Sequence, residues 1–128
     1  MMATTGGDRR DEQGGGTVLM MAVCVVVMVL GYTAMIICGY AIAAHRARAV
    51  ADLAALSGAT TASQGGDPCV SARRNAQAQS AQVTECDRVG DQIDFVVSVT
   101  ASVAVAVRVP GLPQSVTAVA HAGSEEVR

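Results

Sequence analysis

The stretch Thr17–Ala44, TVLMMAVCVVVMVLGYTAMIICGYAIAA, decides the architecture of this chain, because it includes no Asp, Glu, Lys, Arg or His. As a helix it would be about 42 Å long, whereas the hydrocarbon core of a bilayer is about 30 Å thick. A chain of 128 residues has too little other material to bury such a helix on all sides. The stretch therefore predicts a transmembrane helix over 17–44, preceded by a polar leader over 1–16.

A cleaved export signal is the alternative interpretation of this apolar run. Arg9 and Arg10 precede it, and Ala41-Ile42-Ala43 near its end resembles a small-residue cleavage site. In that case the protein would be released as a surface protein that acts on an external partner, such as a host molecule. The apolar core of a signal peptide is about 7–15 residues long, however, so the length of the run favours a membrane span.

The orientation across the membrane is set by the cysteines. Basic residues lie on both sides of the span, with Arg46 and Arg48 following it, so the charge rule gives no preference. Cys69 and Cys86 flank a short segment beyond the helix and would pair in an oxidising compartment. We therefore expect a cytoplasmic N-terminus and an extracytoplasmic C-terminal domain. Spacing leaves open whether this disulfide joins cysteines of one chain or of two.

The long helix is predicted to continue beyond the membrane to about residue 63. That segment lacks Pro, and Val50, Leu53, Leu56 and Thr60 recur at the spacing of one helical face. A second set at steps of four is almost entirely small, which favours close packing against partner helices in lipid. This predicted packing ridge consists of Gly31, Met35, Gly39, Ala43, Ala47, Ala51, Ala55 and Ala59.

Residues 64–123 are predicted to form a small extracytoplasmic α+β domain. The loop 64–68 contains glycines and a proline, which end the long helix, and a second helix is predicted over 69–82. Polar and apolar residues then alternate over 93–109, which predicts a strand with a bend or bulge near 100–102. Residues 110–113 turn the chain.

Two further strands, 83–88 and 115–122, would complete an antiparallel meander. The valine-rich face of this sheet must be shielded from water. We expect Leu53 and Leu56, on the part of the long helix beyond the membrane, to pack against it. Residues 124–128 read as a polar tail. The predicted fold is thus a membrane-anchored α+β protein: a long transmembrane stalk helix, a short second helix and a small antiparallel β-meander.

Composition and motifs give no indication of catalysis or of nucleic-acid binding. The nine basic residues are balanced by eleven acidic ones, so no broad basic surface exists for a phosphate backbone. His45 and His121 have no nucleophile, carboxylate or cysteine partner at a diagnostic spacing. We expect no enzymatic activity, metal, cofactor or small-molecule substrate.

The stretch Arg46-Ala47-Arg48-Ala49-Val50-Ala51-Asp52-Leu53-Ala54-Ala55-Leu56, together with the paired cysteines and the closing segment 116–123, resembles TadE-like proteins. More narrowly, the chain is similar to the actinobacterial branch of the TadE/TadG-like pilus-assembly family. The resemblance implies a minor pilin-like component of a tight-adherence pilus or related secretion machine, whose N-terminal helix packs against other subunits. Prepilins carry Glu at the fifth mature position, where a cut after Gly16 would place Met21. A processed subunit and a permanently anchored assembly factor are therefore both compatible with the sequence.

Overall fold

A computed structural model describes residues 9–124 of the chain. It contains two helices and three strands: α1 Arg9–Ser63, α2 Pro68–Ala78, β1 Gln82–Gly90, β2 Phe95–Ala104 and β3 Ser115–Gly123. This confirms the predicted order of a long apolar helix, a short helix and an antiparallel meander. The predictions for residues 1–8 and 125–128 lie outside the described residues. The chain divides into two compact units between Ile37 and Cys38.

Both helices of the second unit end in the same way. At the end of α1, Gly65 adopts a φ of 83°, and the Gly66 N–H donates to the Thr61 carbonyl at 2.9 Å. At the end of α2, Ser80 adopts a φ of 57°, and the Ala81 N–H donates to Ala76. Each arrangement satisfies carbonyl groups of the last helical turn with a left-handed residue.

The second helix is shorter than its predicted span of 69–82. Asp67 caps its start by accepting a hydrogen bond from the Cys69 N–H at 2.9 Å, and Pro68 fits the first helical turn. Its end at Ala78 was not predicted, because the stop depends on Ser80 in the left-handed conformation that glycine usually supplies. The Arg46 guanidinium on α1 donates to the Gln79 carbonyl at 2.7 Å and so satisfies one group at this helix end.

The three strands form one antiparallel sheet in the order β1-β2-β3. The bulge predicted near residues 100–102 is present at that level of the sheet, but it lies on β1, the strand that pairs with these residues. The register shifts between Val83 and Glu85 on β1, opposite Ala101 and Thr100, whereas β2 itself pairs with β3 without interruption. The alternation of polar and apolar residues over 93–109 also extends beyond the strand, which ends at Ala104.

Within the second unit, α1 lies across the inner face of the sheet and runs antiparallel to β2. Gly39 lies beside Val107, and nineteen residues later Gly58 lies beside Val97. The buried hydrophobic residues here are all Ala or Val except Phe95. Small side chains on both surfaces allow the helix backbone to approach the sheet closely. The core includes Ala47, Val50, Ala51, Ala54, Ala55, Val97, Val99, Ala101 and Val103.

The two edge strands differ in how well they are protected. β1 carries Glu85, Asp87 and Arg88, contains the bulge, and contacts α2. β3 has neither a bulge nor Pro, and it contains no Asp, Glu, Lys or Arg. Charges and bulges are the usual means by which edges resist pairing with another strand, so β3 is the more open edge.

Hydrogen bonds at its two ends show which groups of β3 face outward. Val105 N–H donates to the Gln114 carbonyl, and Ser124 N–H donates to Phe95. Because hydrogen bonding alternates along an antiparallel pair, Val116, Ala118, Ala120 and Ala122 bond to β2. The backbone groups of Ser115, Thr117, Val119, His121 and Gly123 therefore face away from the sheet.

Candidate functional site

The candidate functional sites on the described residues are surfaces. The depressions on the second unit are open, and no polar or charged side chain is buried among residues 14–124. Residues 14–124, whose side chains the structure describes, also contain no group of three His, Cys, Asp or Glu side chains placed to hold a metal ion. The surfaces that distinguish this protein lie on α1.

Cys69 and Cys86 form a disulfide within one chain, with their Cα atoms 5.8 Å apart. This resolves the choice that sequence spacing left open. Cys69 lies in the first turn of α2, and Cys86 lies in the middle of β1, so the bond fixes the short helix to the edge of the sheet. Cys24 and Cys38 are free and exposed.

The small-residue ridge is placed differently from expectation. Ala43, Ala47, Ala51 and Ala55 are buried, and Ala59 packs partly buried against the same core. These residues contact the protein's own sheet, so within the second unit the ridge is not free to receive a partner helix. The sequence reasoning was wrong here because Ala is equally suited to a helix–helix and a helix–sheet contact. In the first unit, Gly31 has no heavy atom within 4 Å of where its Cβ would lie.

The larger aliphatic residues of α1 face the other way. Leu53 is 48% exposed, Leu56 is 59% exposed and Ile42 is 67% exposed. The expectation that Leu53 and Leu56 cover the valine face of the sheet is therefore wrong. Alanines and Val50 provide that cover instead, because only short side chains fit at the distance that Gly39 and Gly58 permit. The second unit thus presents an apolar helix stripe of Ile42, Ala49, Leu53 and Leu56 on the side opposite its core.

The described part of the first unit is an apolar helix. From Val18 to Ile37 its large hydrophobic side chains are exposed, except that of the partly buried Ile36, and α1 is long and apolar enough to cross a membrane. Both a membrane span and an export signal have this length and composition. In water, so many exposed apolar side chains would be unfavourable by roughly 25 cal/mol for each Å².

A row of three side chains across the outer face of the sheet contains the residue types of a hydrolase triad. Their order across the strands differs from the order that a triad requires. Asp87, Ser98 and His121 are directly paired neighbours on β1, β2 and β3, and Ser98 Oγ lies 2.7 Å from His121 Nδ1. A triad requires the carboxylate to orient the imidazole, whereas here Asp87 lies beside the serine. The row is a solvated cross-strand polar pairing, and His45 on α1 is exposed.

The chain matches no protein-family model, no curated protein and no solved structure. The arguments about function therefore rest on the residues and on their placement.

The exposure of Leu53 and Leu56 was not predicted, because a period of three to four identifies a helical face without saying whether that face points toward the sheet or away from it. The abundance of Ala on the opposite face of α1 was the available signal that the leucines do not form the core.

Proposed function

We propose that this protein is a single-pass membrane protein that serves as a minor pilin-like, TadE-like structural or assembly component of a tight-adherence pilus or related secretion apparatus. Its N-terminus is cytoplasmic, its C-terminal domain is extracytoplasmic, and α1 contacts other subunits of the apparatus. No catalytic step is part of this role.

The observation that carries the proposal is that the two parts of α1 differ in what their side chains contact. One helix supplies an exposed apolar segment before Cys38 and, after it, the alanine face that completes the core of a small sheet. An anchor that is also a structural part of the outer domain suits a subunit held at the membrane surface. The disulfide between Cys69 and Cys86 supports an oxidising location for that domain.

The second candidate is a secreted protein cut after Ala43, and the contacts of the second unit disfavour it. Its compact fold begins at Cys38, before that cut. Tyr40 donates a hydrogen bond to the Pro113 carbonyl, Gly39 lies beside Val107, and Ala43 is buried. Cleavage after Ala43 would remove these contacts and expose apolar surface near the end of β2.

The first test is expression with a C-terminal tag, followed by separation of membrane from medium and intact mass spectrometry. We expect a membrane-bound species lighter than its fully reduced form by the two hydrogens of one disulfide. A cut near Gly16 would identify a processed subunit, and an uncut chain would identify an anchored assembly factor. A soluble species that starts near His45 would refute the anchored role.

The second test addresses the apparatus itself. Deletion of the gene should abolish surface pili or secretion, and the wild-type protein should restore them. The tagged protein should also co-purify with pilin-like subunits from detergent-solubilised membranes. Normal pili and secretion in the deletion strain would contradict the proposal.

A further inference from the structure

The β2–β3 loop, residues 105–114, is apolar although it lies at the surface of the second unit. Its sequence, VAVRVPGLPQ, contains one charged residue, Arg108, and its Leu112 is 44% exposed. The β1–β2 connection, residues 91–94, lies at the opposite end of the meander and contains Asp91 and Asp94. The two ends of the sheet therefore differ in chemistry, one apolar and the other acidic.

The β2–β3 loop contains a defined turn that reduces its number of free backbone donors. The Leu112 N–H donates to the Val109 carbonyl at 3.2 Å, and Gly111 adopts a φ of 87°. Pro followed by a left-handed Gly is the pattern of a type II turn. Pro110 and Pro113 have no N–H at all. Unpaired backbone groups make irregular chain costly next to lipid, so this loop is better suited to such contact than most loops.

Contacts with α1 fix the position of the β2–β3 loop along that helix. Tyr40 donates a hydrogen bond to the Pro113 carbonyl, and a Cβ at Gly39 would lie 3.4 Å from Val107 Cγ2. Tyr40 follows Ile37, the last residue of the first unit, by three positions. Chain connectivity alone therefore keeps these two residues within roughly 11 Å of each other. The loop lies beside the residues that directly follow the exposed apolar run.

The length of the apolar run places Tyr40 at the edge of a bilayer. Val18 to Ile37 comprises twenty residues, and a helix of that length is about 30 Å long, the thickness of the hydrocarbon core. The headgroup layer adds about 5–8 Å on each side, which corresponds to roughly three to five helical residues. Tyr40 falls in this layer, where tyrosine is enriched because its ring is apolar and its hydroxyl is polar. The loop bonded to Tyr40 lies at the same depth.

We infer that the β2–β3 loop inserts into the headgroup layer of the bilayer that α1 crosses, with Leu112 among the upper parts of the acyl chains. This inference rests on the membrane anchoring in the proposed function. Lipid is the expected occupant because the loop is held three residues from the end of the span. Arg108 suits this location, since its long side chain can keep the guanidinium at the level of the lipid phosphates. The second unit is then held with its acidic end away from the membrane.

Tryptophan fluorescence tests the inference on the full-length protein, which contains no tryptophan of its own. Leu112→Trp, Ile93→Trp and Val27→Trp are each reconstituted into phosphatidylcholine–phosphatidylglycerol vesicles, with or without bromine on the acyl chains. Ile93 is the matched control, because it is an apolar residue of the β1–β2 connection that is 83% exposed. Val27 belongs to the apolar run and is the reference for contact with lipid.

We expect Leu112→Trp to behave as Val27→Trp does. Both should emit at shorter wavelength than tryptophan in water and lose intensity in the brominated lipid, because bromine quenches a ring that it touches. Ile93→Trp should emit as tryptophan in water does and should be quenched by dissolved iodide instead. An unchanged melting temperature of the second unit, followed by circular dichroism, verifies that each variant is folded.

Cysteine reactivity provides an independent measurement in the same vesicles. Leu112→Cys and Ile93→Cys are prepared in a Cys24→Ser, Cys38→Ser background, which leaves no other free thiol. A charged, membrane-impermeant maleimide should react with position 112 at least about tenfold more slowly than with position 93, because a charged reagent is excluded from the lipid. Equal rates at the two positions would contradict the insertion of the loop.

The tryptophan at position 27 separates failure of the inference from failure of the anchoring. Lipid quenching at 27 with iodide quenching at 112 would overturn the loop insertion and leave the anchored role intact. A tryptophan at 112 that neither quencher reaches would also overturn it, because protein would then cover the loop. Iodide quenching at 27 would refute the anchoring itself, and the loop insertion would stand only if brominated lipid still quenched position 112.

Discussion

Gly58 on α1 faces Val97 on β2 so closely that a Cβ at position 58 would lie 3.3 Å from Val97 Cγ1. The same atom would lie 3.0 Å from the Pro68 carbonyl oxygen. The carbonyl belongs to the backbone at the start of α2, so it cannot rotate away as a side chain can. Glycine at position 58 therefore sets the distance at which the helix, the sheet and the start of α2 meet.

Replacement of this glycine should loosen the second unit. We expect Gly58→Leu to lower the free energy of unfolding by about 1–3 kcal/mol or more, as overpacking of a tight contact does. Thermal unfolding followed by circular dichroism in detergent measures the change. Gly31→Leu is the control, because no heavy atom other than the local backbone of its own helix and its chain neighbours lies within 4 Å of its Cβ position. Equal melting temperatures for the two variants would contradict the contact.

On α1 the small residues are buried and the larger leucines are exposed, which predicts opposite effects for two substitutions. Ala51→Leu should destabilise the second unit by about 1–3 kcal/mol, because Ala51 is fully buried against the sheet. Leu53→Ala should change the stability of the dilute monomer by less than about 0.5 kcal/mol, because half of that side chain is already exposed. Urea denaturation of each variant at low protein concentration tests the pair. A larger loss for Leu53→Ala would mean that the helix presents its other face to the sheet.

Removal of the disulfide should be the most costly change outside the core. Cys69→Ser with Cys86→Ser opens a loop closed over a sequence separation of 17, which is worth about 3 kcal/mol in the chain-entropy model. The melting temperature should therefore fall markedly, and a reducing agent should do the same to the wild-type protein. The control, Cys24→Ser, alters a free cysteine of α1 and should melt as the wild type does. An unchanged melting temperature in the double variant would show that α2 needs no covalent tether.

The direction of the backbone N–H groups on β3 predicts at which positions the strand tolerates substitution by proline. The Val119 N–H faces outward, so Val119→Pro removes no hydrogen bond of the sheet. The Ala118 N–H donates toward Ala101, so Ala118→Pro leaves a carbonyl unpaired and should cost about 1–3 kcal/mol more. Comparison of the two unfolding midpoints decides the matter. The reverse order would show that the hydrogen-bonding alternation of β3 is shifted by one residue.

Much of the layout could be predicted from local patterns. The return strand 115–122 and the turn 110–113 followed from proline, glycine and a change of period, and β3 is observed over Ser115–Gly123. The end of α1 near residue 63 followed from the two glycines after it. These features depend on a few neighbouring residues, which is why one sequence is sufficient to find them.

The errors concern contacts between distant residues. Periodicity identified the Leu53 and Leu56 face as core because apolar faces usually are, yet the choice between two apolar faces depends on the space above the sheet. The position of the bulge on β1, opposite Thr100, depends on pairing across strands. The end of α2 depends on a left-handed Ser80. None of these is encoded by spacing along one segment.

The restriction of the core to Ala and Val, with Phe95 as the exception, also bears on how tightly the fold is specified. Alanine has no side-chain torsion to fix on folding, and valine has only one. The second unit therefore loses little side-chain entropy when it folds, which compensates for a core of small residues. The same property leaves few alternative rotamers with which to absorb an added methyl group. We expect a single, rigid arrangement of helix on sheet that tolerates substitution poorly on the inside and freely on the outside.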